Sequence, residues 1–457
     1  MAADYLGNPV STGDAGVLAA VDDFVGGMLA YETRAAGVIK AAAAAPDAPL
    51  LNAYAALLFT LMESPQGPVR ARPFLDRAEA AAAGANDRER ALIACVAARV
   101  AGDLPAAERI ATDMVEAWPR DLLMLKLAQG MAFDRGDAAA MLRPALNAAR
   151  AADDVAYLHG MVAFALEQSH RLADAEAEAR RALEMTPREP WAQHALAHVM
   201  LTEGRIDEGA RFMAAASAGW GGLNSFMATH NWWHLALFRL SQGREAEVLA
   251  LYDDHVWAGD RDYSQDQINA VSLLARLELA GADVGERWSD VANHLAARVP
   301  DVEQPFLALQ YLYGLARAGR PEAETELEAI RRHAETAPDF CRAAWANVAL
   351  PAAEGIAAHL AGRHAEALAR LGPVLPRMAE LGGSHAQRDL FEQIWLASAI
   401  AAGRWAEARV ALERRARHDP DGVPLNRQRA LVFDALGLLS QAGEARRRVE
   451  ATLRRNA

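Results

Sequence analysis

The chain predicts an all-α fold, a tetratricopeptide-like α-α superhelix built from stacked helical hairpins, and three observations carry that prediction. A short motif recurs in which Gly precedes a polar residue and then a helical stretch rich in Ala and Glu: GDLPAAE from Gly102, GDAAAM from Gly136, GRIDEGA from Gly204, GREAEVL from Gly243, GRPEAE from Gly319, GRHAEA from Gly362 and GRWAEA from Gly403. The spacing is regular, because Gly102, Gly136, His170 and Gly204 follow one another at steps of 34 residues, which is the tetratricopeptide period. Hydrophobic residues make up 52% of the chain while aromatics supply only 7%, so the apolar content is largely aliphatic and suits tightly packed helices.

Each part of the repeat has a physical reason. Gly ends the first helix of a hairpin in a left-handed cap, and the second helix begins two or three residues later. Pro or Asp marks the other junction, as in EMTPREPWAQ and EAWPRD. HRLADAEA from His170 is the same motif with His in place of Gly. Later steps lengthen to 39, 38, 38 and 43 residues between Gly204 and Gly362, which predicts longer helices or loops towards the C-terminus. The Ala runs at 41–45 and 80–83 read as helix interiors, and no low-complexity linker interrupts the array. Residues 1–457 are therefore expected to form one superhelical domain, closed by a charged C-terminal capping unit.

Composition narrows the partners. The 47 Lys and Arg residues stand against 60 Asp and Glu, a net charge of -13, which disfavours nucleic acid and anionic membrane surfaces. Cys95 and Cys341 give neither a disulfide framework nor a thiolate metal motif, and a reducing cytoplasm fits. The N-terminal stretch lacks the pattern of a secretory signal, and no window is apolar for long enough to span a bilayer. The expected location is cytoplasmic.

The chemistry concentrates in 155–260 and 382–393. Four segments there carry histidine: LHGMVAFALEQSH, WAQHALAHVM, THNWWHLALF and LYDDHVW. His194 with His198, and His230 with His234, are spaced four apart, so each pair presents two imidazoles on one helix face. Taking the Gly anchors as phase references at about 100° per residue, these four and Glu167 fall within an arc about 120° wide on the first helices of three successive hairpins. His159 falls outside it. First helices line the concave side of such superhelices, so the arc is expected to face the groove. Trp220, Trp232 and Trp233 are expected to pack helix on helix. In GGSHAQRDLFEQ a Gly-Gly break opens a helix whose first turn gathers His385, Gln387, Arg388 and Asp389, suited to an anion or to reaching the groove, with simple capping by Ser384 as the alternative. Phosphate loop, nucleophile elbow and zincin helix are all missing from the sequence, and His-Ala-Leu-Ala-His lacks the Glu that a zincin base requires.

The same segments resemble the tetratricopeptide repeat protein 38 family, through HGMVAFALEQ, QHALAHV, HNWWHLAL, YDDHV and GGSHAQRDLFEQ, with DYLGNPVST as a weaker match. The resemblance maps the family's recurring polar residues onto His159, Glu167, His194, His198, His230, Asn231, His234, Tyr252, Asp253, His255, Gln387, Arg388 and Asp389. Asn269 stands where that pattern leads one to expect an acidic residue, so no role is assigned to the helix around Asp266. The family is defined by architecture and implies no particular reaction.

Two readings of function follow. In one, the superhelix encloses a polar pocket that binds a small polar molecule and transforms it by hydrolysis or another proton-transfer reaction. His194, His198, His230 and His234 would be the acid-base groups or the ligands of a divalent transition metal. Glu167 and Asp253 would orient imidazoles, and Arg388 would hold an anion. His159, Asn231, Tyr252, His255, Gln387 and Asp389 complete the binding set. In the other, the groove is a scaffold that grips a peptide or protein partner. Either is compatible with a homo-oligomer.

Overall fold

The computed structural model describes residues 2–456 and contains 25 α-helices among them. Strand is confined to Ala2–Ala3 paired antiparallel with Pro9–Val10. The expected all-α helical-repeat class is the one the chain adopts, with successive helices packed as antiparallel hairpins such as Asp87–Val100 with Leu104–Ala117 and Ala156–Gln168 with Leu172–Met185.

The Gly anchors behave as their positions require. Gly102, Gly136 and Gly204 have φ of +76°, +72° and +72°, and His170 adopts the same left-handed conformation at +55°. At each, the residue that follows donates its backbone N–H to a carbonyl five residues earlier, as Asp103 does to Ala98 and Arg171 to Leu166 at 2.9 Å. That bond closes the helix end and turns the chain into the next helix. Two of the four lengthened steps contain π turns, at Tyr252–Val256 and Trp345–Ala349, each continuing a preceding helix.

Packing divides the chain into two compact units, Met1–Leu196 with Trp220–Met227, and Ala197–Gly219 with Ala228–Ala457. In the first unit the helices close on small residues, Ala107 and Ala111 among them, and on Leu75, Leu92 and Leu125, all fully buried. Its N-terminal segment is held by polar contacts: buried Asp4 accepts from the Asn8 backbone at 2.8 Å, and Arg88 donates to Pro9. In the second unit a continuous core contains Trp233, Val271, Leu274, Tyr311, Trp345 and Ile356. Each such side chain contributes about 1.5–3 kcal/mol on burial. Gly209 permits a close approach there, since a Cβ at that position would overlap the Phe238 ring.

Candidate functional site

Within the second unit, three helices bring imidazoles together. His198 lies near the end of the helix Pro190–Thr202, His230 and His234 lie on Ser225–Ser241, and His385 opens His385–Ala401. His198 and His234 are fully buried and His230 is 3% exposed. The ring centroids of His198 and His234 are 4.5 Å apart, those of His230 and His234 4.9 Å, and those of His198 and His385 5.2 Å. One ring nitrogen from each of His198, His230 and His234 lies within 4.8 Å of the other two. Trp233 stacks parallel to His230 at 5.2 Å and forms part of the wall.

A buried relay fixes the tautomer of His230. Thr229 donates its hydroxyl hydrogen to Asp266 at 2.8 Å, so its oxygen is an acceptor towards the Asn269 amide nitrogen at 3.3 Å. That sets the orientation of the Asn269 amide, whose oxygen then faces His230 Nδ1 at 2.9 Å. An amide oxygen only accepts, so Nδ1 carries the proton and Nε2 carries the lone pair. The other Asp266 oxygen accepts from the backbone of Asp260 at 2.8 Å, which anchors the far end. Asp266 and Asn269 are therefore part of the site, although the resemblance assigned that helix no role. Their separation of 37 to 40 residues from their partners hides the relay from any local pattern.

Burial keeps His198 and His230 neutral. Burial pushes His198 well below the ordinary histidine value, and His234, His385, His230 and Arg388 press in the same direction. Burial lowers His230 to about 4 against the opposing hydrogen bond to Asn269. Beside them Asn231 is fully buried on the His234 helix, and neither of its amide atoms has a hydrogen-bond partner among the described residues. Leaving such a group unmet costs about 1–3 kcal/mol.

The first turn of His385–Ala401 is built differently from the expectation. Ser384 and Gln387 form a reciprocal capping box, with Ser384 N–H donating to Gln387 Oε1 at 2.9 Å and Gln387 N–H to Ser384 Oγ at 3.3 Å, so Gln387 caps the helix. Asp389 pairs with Arg415 and accepts from Gln393 at 2.6 Å. Burial alone would raise the Asp389 carboxyl, but the Arg415 charge and hydrogen bond, the Arg276 charge and the Gln393 hydrogen bond together outweigh it and hold the group at about 2. Arg388 donates to the Gly383 carbonyl. His385 is the residue of this turn that joins the cluster, and it meets Thr202 Oγ1 at 2.8 Å. Buried Arg276 donates to the Ala386 carbonyl at 2.7 Å and ties the turn to the helix that carries Asn269. The sequence carried no local signal for Arg276 or Thr229.

Asp253 is exposed and paired with Arg287 at 2.5 Å, so it orients no imidazole of the cluster: the π turn at Tyr252–Val256 carries it to the surface. In that turn Tyr252 is core, and His255 stacks on Trp232 at 3.8 Å. His159, in the first unit, has both nitrogens engaged, by Glu178 at 2.7 Å and the Asp153 carbonyl at 2.9 Å, which makes it a clip between the two helices of its own hairpin. His194 belongs to the first unit and stacks on Trp191 at 4.5 Å, while Glu167 is buried there and accepts from Gln168 at 2.6 Å. Trp220 and Trp233 are core, as expected of them.

No helix of the described residues is long and apolar enough to cross a membrane. No protein-family model matches the chain. Among solved structures it is similar to a human IFIT1 dimer with PPP-AAAA, at 13% identity over 89% of this chain and 90% of that one, with a TM-score of 0.42. It is also similar to Naa15/Naa10 bound to HypK-THB, at 12% identity over 96% and 63% of the two chains and a TM-score of 0.25. The TPR domain of P58(IPK) matches at 12% identity over 81% and 97%, with a TM-score of 0.23. These likenesses are too distant to bear on ligand or activity.

Proposed function

We propose that the second unit holds a divalent transition metal on His198, His230 and His234, and that this centre binds a small polar molecule and activates it for hydrolysis or another proton-transfer reaction. The observation that carries the reading is the relay through Asn269, which holds His230 with Nδ1 protonated and Nε2 free of the proton. Metal-bound histidines are fixed in this way by an acceptor on their other nitrogen. Neutral imidazole is also the ligating form, and it suits Zn, Fe, Ni and Cu. Three nitrogens no more than 4.8 Å apart lie at most about 2.8 Å from their common centre, against about 2.0–2.1 Å for a Zn–N bond. Closing that gap takes a shift of about 0.7 Å per ring, within reach of small χ adjustments. Three protein ligands leave a position for water or substrate, and the unmet amide of Asn231 supplies a polar group on the same helix for orienting it. The two motifs QHALAHV and HNWWHLAL, which resemble those of the tetratricopeptide repeat protein 38 family, supply all three ligands. Two free cysteines agree with a cytoplasmic location.

Cobalt titration of tag-free, chelator-treated full-length protein tests the reading. The expected result is one equivalent bound with visible ligand-field bands, both lost in His234→Ala. Absence of those bands in the folded wild type refutes the metal centre and leaves a scaffold that grips a peptide in its groove.

A further inference from the structure

The helices Leu104–Ala117 and Ala138–Ala148 are the second helices of two successive hairpins in the first unit, and a cavity of about 680 Å³ opens between them. One wall is the helix Ala138–Ala148, continued by Arg150, and it presents two adjacent stripes of different chemistry. Ala139, Leu142 and Leu146 stand at i, i+3 and i+7 and form an apolar strip, on which Leu146 is left 45% exposed. Arg143, Asn147 and Arg150 stand at i, i+4 and i+7 beside it. The facing wall is the helix Leu104–Ala117, which brings Thr112 and Glu116 to the cavity one turn apart.

The polar side chains of this cleft are not engaged with one another. Thr112, Glu116, Arg143, Asn147 and Arg150 make no side-chain hydrogen bond and no ion pair among the described residues. Neighbouring arginines behave otherwise: Arg120 holds Asp154 at 2.7 Å, Arg135 holds Glu108 at 2.7 Å, Arg171 holds Asp174 at 2.6 Å and Arg181 holds Asp153 at 2.6 Å. Glu116 shares the cavity with Arg143 and Arg150 and meets neither, so opposite charges are held apart with space between them. Two arginines against one glutamate leave a single net positive charge, in a chain whose net charge is -13. A monoanion neutralises that excess, whereas a phosphate dianion reverses it and meets the repulsion of Glu116. Guanidinium groups suit a carboxylate in a bidentate fork. Arg143 and Arg150 are two turns apart, about 10 Å along the axis, with the Asn147 amide between them as a further donor.

We infer that this cleft binds a single-chain aliphatic carboxylate, its head held by Arg143 and Arg150 and its chain lying on Leu142 and Leu146. The volume falls within the range of about 300–1,000 Å³ that small-molecule sites occupy, and an apolar surface beside a few convergent donors is their usual lining. Each methylene that the strip covers strengthens binding about fourfold. Glu116 selects against a second negative charge on the head. The cleft lies wholly in the first unit and shares no residue with the histidine centre, so neither reading depends on the other.

Isothermal titration calorimetry on the full-length protein tests this with hexanoate, octanoate, octanol and octyl phosphate, each below its micelle concentration. Octanoate should bind at one equivalent and at least about fourfold more tightly than hexanoate, which lacks two methylenes. No octanoate binding, or equal affinities for the two acids, overturns the inference. The double variant Arg143→Gln with Arg150→Gln breaks no contact within the protein, so its melting temperature should match wild type while octanoate binding weakens at least about tenfold. Octanoate affinity unchanged in that variant, or matched by octanol in the wild type, removes the arginines from the site and overturns the inference. Octyl phosphate at pH 8.5 should bind wild type more weakly than octanoate does and gain affinity in Glu116→Gln; if it is the tighter ligand of wild type, the monoanion assignment falls. Sedimentation with phosphatidylglycerol vesicles that is lost in the double arginine variant would assign the cleft to a membrane surface in place of a free acid.

Discussion

Replacing Asn269 by Leu removes the acceptor that holds His230 Nδ1–H while keeping side-chain volume, and it isolates the relay from the ligands themselves. Asn269 is 1% exposed and His230 3%, so neither group can turn to water. Two consequences have separate magnitudes. The net hydrogen bond is worth about 1 kcal/mol and a stranded buried donor costs about 1–3 kcal/mol more, so the folded state should lose about 2–4 kcal/mol. The ring is also released to place its proton on Nε2, which cannot then ligate. Loss of such an orienting partner weakens metal binding about 10–100-fold, equivalent to about 1.4–2.7 kcal/mol. Urea unfolding reads the first effect. Cobalt titration in buffer, with helical circular dichroism confirming the fold, reads the second. Thr229→Val acts one link further out and should weaken binding less than Asn269→Leu. Cobalt affinity of folded Asn269→Leu within threefold of wild type would refute the argument that the relay sets the ligating tautomer.

Three further outcomes are expected. Glu326 is fully buried, accepts from Asp301 N–H at 3.0 Å, and is raised by burial to about 8, so its stabilising contribution is complete below the unfolded value near 4.5 and fades as pH rises through 8. Glu326→Gln keeps the acceptor without the charge and should unfold later than wild type at pH 8.5, by at most about 5 kcal/mol, with the gap closing near pH 4.5; equal urea midpoints at pH 8.5 would contradict this. His170→Gly relieves left-handed strain at φ +55° and should raise the melting temperature, with about 1 kcal/mol gained, so a lower melting temperature would mean the imidazole contributes more than its backbone costs. Arg88 and Asp121 form a buried pair at 2.7 Å, and Arg88→Met strands the carboxylate, costing about 3–5 kcal/mol; the double variant with Asp121→Asn should recover part of that loss in urea unfolding, and no recovery would argue against a coupled pair.

How much of this was legible in the sequence depends on the range of each interaction. Helix ends were legible because a left-handed residue and its cap lie within a few positions, and even His170 could be placed in a Gly series. The two i, i+4 histidine pairs were legible for the same reason. Asp389 looked like a groove residue because its partner Arg415 is 26 positions away, and Gln387 looked like a ligand although its capping partner stands three residues before it. Many of the distant pairs nevertheless share a property. His230 meets Asn269 across 39 residues, His359 meets Ser398 across 39, Arg317 meets Glu278 across 39, Gln242 meets Asp207 across 35, Arg120 meets Asp154 across 34 and Arg88 meets Asp121 across 33. These separations lie within a few residues of the local repeat step, 34 residues early in the chain and 38 to 43 later. In a stack of hairpins each helix lies against its equivalent one repeat on, so a polar side chain on the shared face meets the residue one period away. Partners for a buried polar residue in such an array are therefore to be sought at the period measured between neighbouring Gly anchors. One residue from that offset, counted from His230, stands Asn269, the residue that departs from the pattern of the resembled family.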